Sequence, residues 1–518
     1  MDGQVETFPF EVMVKYVRRE IRNTTDAQRG AFFDAMAVVY ATPQADGENA
    51  YGRKFRSIER LVAEHLRGAA AKECDHWHDD AGIMTHHVAF TLEMEQSLQS
   101  VNPSTTIPYW DYTIDEYELA EWVDSPIFAD DWFGEASPSD QNHIVTKGRW
   151  GYTSVTTGAL ETSPRNPYGL LRAPWNTNPV PYVLRHRYVL GEKDGGWKFP
   201  GCSAFAMAWN ATGLSSYLVN LNGFLHGPVH VMIGGQWFAD PDYNVTWTQG
   251  GNYLLASKWL WRQGYVRCPE VCSSDTPSSA CVCSCPDEVT AGFASAYDFL
   301  DKTGIVNMTN GMLDKHNWRN YLQFTNSSAS GFSCESMDEC YEHAKDLLCH
   351  VGHAGEMFTS AAPWDPTFWP IHGLADRYLA FKRMKARDNE TTLEQTWAYQ
   401  HVGSVPSDTG RVCDWDGVEG MALPSCERAT CPGHHEDDLL PMSNFLGLNE
   451  TYTNMEFYDL MDPNSDDLPY TYETFDVYPA CTAQNVSFWE DGWSISELED
   501  DGIAVAQGGG HHPVAIDP

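Results

Sequence analysis

The chain has 518 residues, 13% of them aromatic and 19 of them tryptophan. That length would allow two or three domains, since single cores seldom grow past about 250–300 residues. A formal net charge of −39 argues against nucleic acid or an anionic membrane surface as partner. No apolar run approaches the ~18–20 residues a membrane span needs, so no membrane partner is expected.

Read in chain order, VRREIRNTTDAQRGAFFDAM begins as a strand bearing Arg18 and Arg19 and runs into a first core helix. LVAEHLRG then places His65 in a helical context. In HWHDDAGIMTHHVAFTLEMEQSLQ, the residues Ile83, His87, Phe90, Met94 and Leu98 recur at helical steps. They form one stripe of an amphipathic helix, so His87 points inward. After IPYWDY (107–112), a Pro-, Gly- and Trp-rich stretch from about 126 to 205 reads as loops.

Residues 215–235 predict a helix that carries His226 and His230 four apart, on one face. Gly234 and Gly235 should stop it. Pro228 fits only if a helix starts nearby, because proline is accepted in a first turn. From about 236 to 340 lies an insertion containing CPEVCSSDTPSSACVCSCP, with Cys268, Cys272, Cys281, Cys283 and Cys285. Such spacing suits either a zinc knuckle or a disulfide-stapled surface segment. The even total of 14 cysteines and eight N-x-S/T sites favour disulfides and the secretory pathway. DPTFWPIHGLADR sets His372 near the start of a helix that continues through Asp376, Tyr378 and Phe381. The stretch 386–472 is rich in turn residues and should wrap the core. The last 40-odd residues, acidic and then Gly-rich, read as a tail.

Taken together, these strings resemble the type-3 copper proteins: tyrosinases, catechol oxidases and molluscan hemocyanins. His78 and His87 are nine apart, with Glu95 eight further on, as in that family's copper A half. NGFLHGPVHVMIGG and DPTFWPIHGLADR resemble its copper B half, IPYWDY its LPYWDW string, and Tyr470-Thr-Tyr472 its Tyr-x-Tyr motif. The resemblance extends from about residue 10 to about residue 475. It implies a mainly α fold, a helical-bundle core housing a dicopper site, with long loops, short strands and the disulfide-rich insertion. Residues 1–475 would then be one catalytic domain, and 476–518 the acidic tail.

The implied cofactors are two copper ions, copper A on His65, His78 and His87 and copper B on His226, His230 and His372. His76 rivals His78, because Cys74-Asp-His76 reproduces a C-x-H pair that some relatives use for a thioether; Cys74 could equally form a disulfide. His86 is expected to point away from the metal. His350, 22 residues before His372, rivals the copper B pair together with His353, although Asp346 stands where the first histidine of a pair should be. Asp376 is implied as a partner orienting a copper B histidine, and Phe368 as a structural residue. Tyr470 and Tyr472 would pack on Arg18 or Arg19.

Neutral imidazoles suit copper, and three around each ion leave positions open for a bridging ligand. Two such ions a few ångströms apart can take up O2 between them and oxidise a small phenol. In the family, the residue after the first copper B ligand is often asparagine in enzymes that hydroxylate monophenols; here it is Gly227. With Val231 as an apolar group at the pocket mouth, the expectation is oxidation of o-diphenols to o-quinones with O2. The alternatives are a true tyrosinase, an o-aminophenol oxidase, a hemocyanin-like O2 carrier and a copper-free relative. A zinc protease is excluded, since H-x-x-x-H there needs a glutamate base where Gly227 stands. Met1 and the residues after it lack the apolar core of a signal peptide, so the chain reads as a mature form, an expressed portion or an incomplete gene product of a secreted or luminal protein. Nothing in the sequence sets an oligomeric state.

Overall fold

The computed structural model describes residues 13–70, 75–78, 81–140, 142–155, 180–188, 197–237, 243–247, 260–261, 264–267, 277, 282–308, 322–326, 336–397, 432–447 and 449–489. The fold is mainly α. Strand β1 (Tyr16–Arg18) leads into helix α1 (Asp26–Ala41). Thr25 starts α1 with a capping box: its hydroxyl accepts from the Gln28 N–H while the Gln28 side chain reaches back. Helix α2 (Ile58–Ala69) is capped by Ser57 and buries Ile58, Leu61, Val62, His65 and Leu66 along one side.

Helix α3 (Gly82–Val101) is the centre of the molecule. The stripe expected from Ile83, His87, Phe90, Met94 and Leu98 is buried. So are most of the residues between them, because α1 and the late helix cover α3 from different sides.

Helix α4 (Leu214–Asn220) passes into a π turn (Leu221–His226) and then into α5 (Gly227–Gly234). The expectation that a helix starts near Pro228 holds, since α5 begins at Gly227 with the proline in its first turn. The helical run begins at Leu214, and the π turn directly before Pro228 takes up the mismatch left by the missing N–H. Gly235, at φ +63°, ends α5 as expected.

Strand β2 (Gln236–Trp237) pairs antiparallel with β3 (His350–Ala354), which follows helix α6 (Met337–Cys349). Helix α7 (Phe368–Arg387) packs across α3. Strand β4 (Tyr470–Tyr472) returns to lie parallel to β1, Tyr16 opposite Tyr470 and Arg18 opposite Tyr472.

Disulfides join Cys202 to Cys481 and Cys285 to Cys349, and Cys283 and Cys340 are also disulfide-bonded. The cysteine cluster is therefore a staple where it is described; Cys74, Cys268, Cys272 and Cys281 lie outside the described residues. The core takes in Tyr478, Cys481 and Phe488, so the packed body continues past the boundary at 475, held there by the tie to Cys202. Among the described residues, no helix is long and apolar enough to cross a membrane.

Candidate metal centre

Two clusters of three histidines form where α2, α3, the π turn with α5, and α7 meet. They are His65, His78 and His87, and His226, His230 and His372; in each, one nitrogen per ring lies within 4.8 Å of the others. The clusters face each other through His87 and His372, whose rings stack at 4.7 Å with 8° between their planes.

Orientation of the rings follows from what holds Nδ1. His87 donates to the Ile83 carbonyl at 2.7 Å and His372 to the Phe368 carbonyl at 2.7 Å, each one helical turn back. His65 uses the Ser360 carbonyl at 2.7 Å and His230 the Met357 carbonyl at 3.0 Å. Carbonyls only accept, so Nδ1 carries the hydrogen and Nε2 keeps its lone pair. The Nε2 atoms of His65, His87 and His372 are buried, with no hydrogen-bond partner among the described residues. Nε2 of His226 and Nε2 of His230 face each other at 2.9 Å. Buried acceptors without donors are costly and rare; a cation between them removes the cost. The donor set therefore fits a metal ion in each cluster.

Five of the six rings are held toward the neutral form that can ligate. Burial, reinforced by neighbouring histidines, holds His65, His87, His226 and His372 well below the usual imidazole range. Burial likewise pushes His230 down to about 3.

An aromatic shell packs the site. The Phe368 ring lies 3.9 Å from that of His372, 5.7 Å from His65 and 5.8 Å from His230, so one residue supports both clusters. Gly227 stands beside His226, and a Cβ there would come within 2.7 Å of the Asn222 carbonyl oxygen, the atom that accepts the Gly227 N–H in the π turn. Val231 is half-buried against the core.

Asp376 does not take the place expected of it. Its carboxylate accepts from Tyr470 and Tyr472 hydroxyls at 2.6 Å each and from Arg18 at 3.1 Å. Arg18 also grips Glu95 of α3 at 2.7 Å and lies on the Tyr470 ring, so of the two candidate arginines Arg18 is the one in the Tyr-x-Tyr motif. The reason is local: the Phe368 carbonyl already holds Nδ1 of His372, and no side chain is needed there.

The rival histidines stay out of both clusters. His350 is exposed and bonds the Asp346 carbonyl; His353 pairs with Trp237 across β2 and β3. His76 bonds the Pro432 carbonyl, and His86 bonds the Gly82 carbonyl and packs on Trp77.

Sequence reasoning missed Asp75 and Asn222. Asp75 accepts from Nδ1 of His78 at 3.0 Å, and Asn222 donates to the His78 carbonyl at 3.2 Å. A carboxylate three residues before a ligand was the available signal for the first; nothing local marked the second.

Residues 55–247, which carry five of the six histidines, match the family model for the common central domain of tyrosinase. The central part of the chain is similar to this tyrosinase domain. The tyrosinase of Streptomyces lincolnensis is 28% identical over 240 residues, 44% of this chain and 78% of that protein. Grixazone synthase of Streptomyces griseus is 37% identical over 69 residues; this match spans 21% of that protein's length. Among solved structures, a polyphenol oxidase mutant from Thermothelomyces thermophila aligns over 89% of both chains at 14% identity and a TM-score of 0.43. The two histidine clusters of this chain are positioned to bind a dicopper centre.

Proposed function

We propose that the protein is a copper-dependent polyphenol oxidase that converts o-diphenols to o-quinones, with O2 as the electron acceptor. Two catechols give up four electrons and four protons, and O2 leaves as two waters. The observation that carries this reading is the pair of three-histidine clusters that face each other through the stacked rings of His87 and His372. Copper, when bound, would supply the redox chemistry. The chain's own residues fix the tautomer of His65, His78, His87, His230 and His372 through Nδ1 and pack the site behind Phe368, Phe90 and Trp77.

Gly227 supports the restriction to diphenols. It gives no side chain beside His226, and the π turn leaves no room for one without movement of the Asn222 backbone. Val231 adds an apolar group on the same helix and no charge. A secreted glycoprotein is the matching cellular reading: the described cysteines are all oxidised, and the sequon residues Asn23, Asn210, Asn389, Asn449 and Asn485 are exposed.

The test is O2 uptake by the copper-loaded protein with 4-methylcatechol and with tyramine. Fast uptake with the catechol and negligible uptake with tyramine is expected. Comparable tyramine turnover would make the protein a tyrosinase, the activity named for the Streptomyces relatives. Reversible O2 binding without turnover would make it a carrier.

A further inference from the structure

We infer that Asp75 is the positioning residue of copper A, fixing His78 through a carboxylate where the other rings with an Nδ1 partner use backbone carbonyls. The inference rests on the dicopper reading above and goes beyond it.

His78 differs from its partners in where it sits. His65, His87, His226, His230 and His372 all lie in helical turns, whereas His78 lies in a turn outside any helix, and its side chain is 26% exposed. A ligand on irregular, partly hydrated backbone needs something else to hold it. Asp75 does so three times with one oxygen. Its Oδ1 accepts from the Trp77 N–H at 3.0 Å, the His78 N–H at 3.0 Å and Nδ1 of His78 at 3.0 Å. Asp75 is 0% exposed, and its own carbonyl accepts from Nε2 of His434 at 2.8 Å. Backbone and ring are thus set by the same group, which also determines that Nε2 of His78 presents its lone pair.

A carboxylate partner does more than a carbonyl. Its charge stabilises positive charge drawn onto the ring when Nε2 donates to a metal, so it strengthens that donor. The two halves of the centre are then unequal by construction, with the stronger donor on the copper A side.

The experiment is Cu(I) titration of the copper-free protein against a chromophoric Cu(I) chelator, with Asp75→Asn, Asp75→Ala, His78→Ala and the Asp75→Ala/His78→Ala double variant. Circular dichroism and melting of the copper-free forms serve as the folding check. Wild type should take up two equivalents. Asp75→Ala should weaken one of them by about 10–100-fold, and the double variant should be no weaker than His78→Ala alone. Asp75→Asn keeps an acceptor for the two backbone N–H groups without the charge, so it should fold normally and fall between. It decides the matter if Asp75→Ala does not fold. Two equivalents at wild-type affinity in these Asp75 variants, or equal weakening of both equivalents, would overturn the assignment. Failure of the wild-type protein to bind two copper ions would instead overturn the reading of the centre itself.

Discussion

The guanidinium of Arg18 lies 3.3 Å from the centre of the Tyr470 ring, joining the two ends of the described chain inside the core. The same group pairs with Glu95 on α3 and Asp376 on α7, and all three side chains are buried. Arg18→Met would leave two carboxylates buried without their cation, which costs about 3–5 kcal/mol. Urea denaturation of the copper-free protein measures the loss. Burial already pushes the Asp376 carboxyl up, and Arg18 opposes that rise. The deficit of the variant should therefore shrink as pH falls and Asp376 takes up a proton.

Gly227 is the second position where a small change should be felt. In Gly227→Ala the new methyl meets the Asn222 backbone oxygen, an atom that cannot turn aside. The π turn must shift, at about 1–3 kcal/mol, and it carries His226. We expect a lower melting temperature together with weaker binding of one copper equivalent, read by the same chelator competition.

Much of this site was legible because its chemistry is written in short strings. His87 could be read as inward-facing from the period of α3, and His226 with His230 from a spacing of one helical turn. What could not be read were groups whose contribution is a carbonyl, since every residue has one. Ser360 and Met357 orient His65 and His230 through backbone oxygens, so no side-chain pattern marks them. Asp376 misled for a related reason. Its place one turn after His372 suggests a partner for that ring, but Arg18, Tyr470 and Tyr472 compete for the carboxylate from segments far away in the chain. The π turn was hidden as well, because Pro228 signals only a break in the bonding pattern, not how the preceding turn absorbs it.

His186 should make the fold acid-sensitive. Burial and the neighbouring His143 hold its imidazole down to about 3, from an ordinary value of 6.5, and its Nδ1 accepts from the Tyr188 N–H. Between those two values the unfolded chain takes up a proton that the folded one does not. The stabilisation is therefore complete above pH 6.5 and declines as pH falls, by up to ~1.4 kcal/mol per unit. His186→Gln keeps an acceptor but does not titrate. Its stability relative to wild type should rise steadily from pH 6.5 downward, measured by denaturant melts across that range; a constant difference would refute the assignment.

The Cys202–Cys481 bridge closes a loop of 279 residues. In the chain-entropy view, releasing so long a loop destabilises by roughly 5–6 kcal/mol. Replacing both cysteines with serine should lower the urea midpoint accordingly, with the copper stoichiometry of the folded protein unchanged.

The parallel pairing of β1 with β4 has a consequence for how the molecule is made. Strand β1 leaves the ribosome well ahead of its partner Tyr470–Tyr472, Arg18 and Tyr472 being 454 residues apart. Until then Arg18 has neither its aromatic bed nor a settled place between Glu95 and Asp376. Contacts of such sequence separation form slowly, because chain closure must be achieved before they stabilise anything. Because Arg18 ties Glu95, on the helix of His87, to Asp376, on the helix of His372, this brace across the two clusters is complete only after β4 has docked.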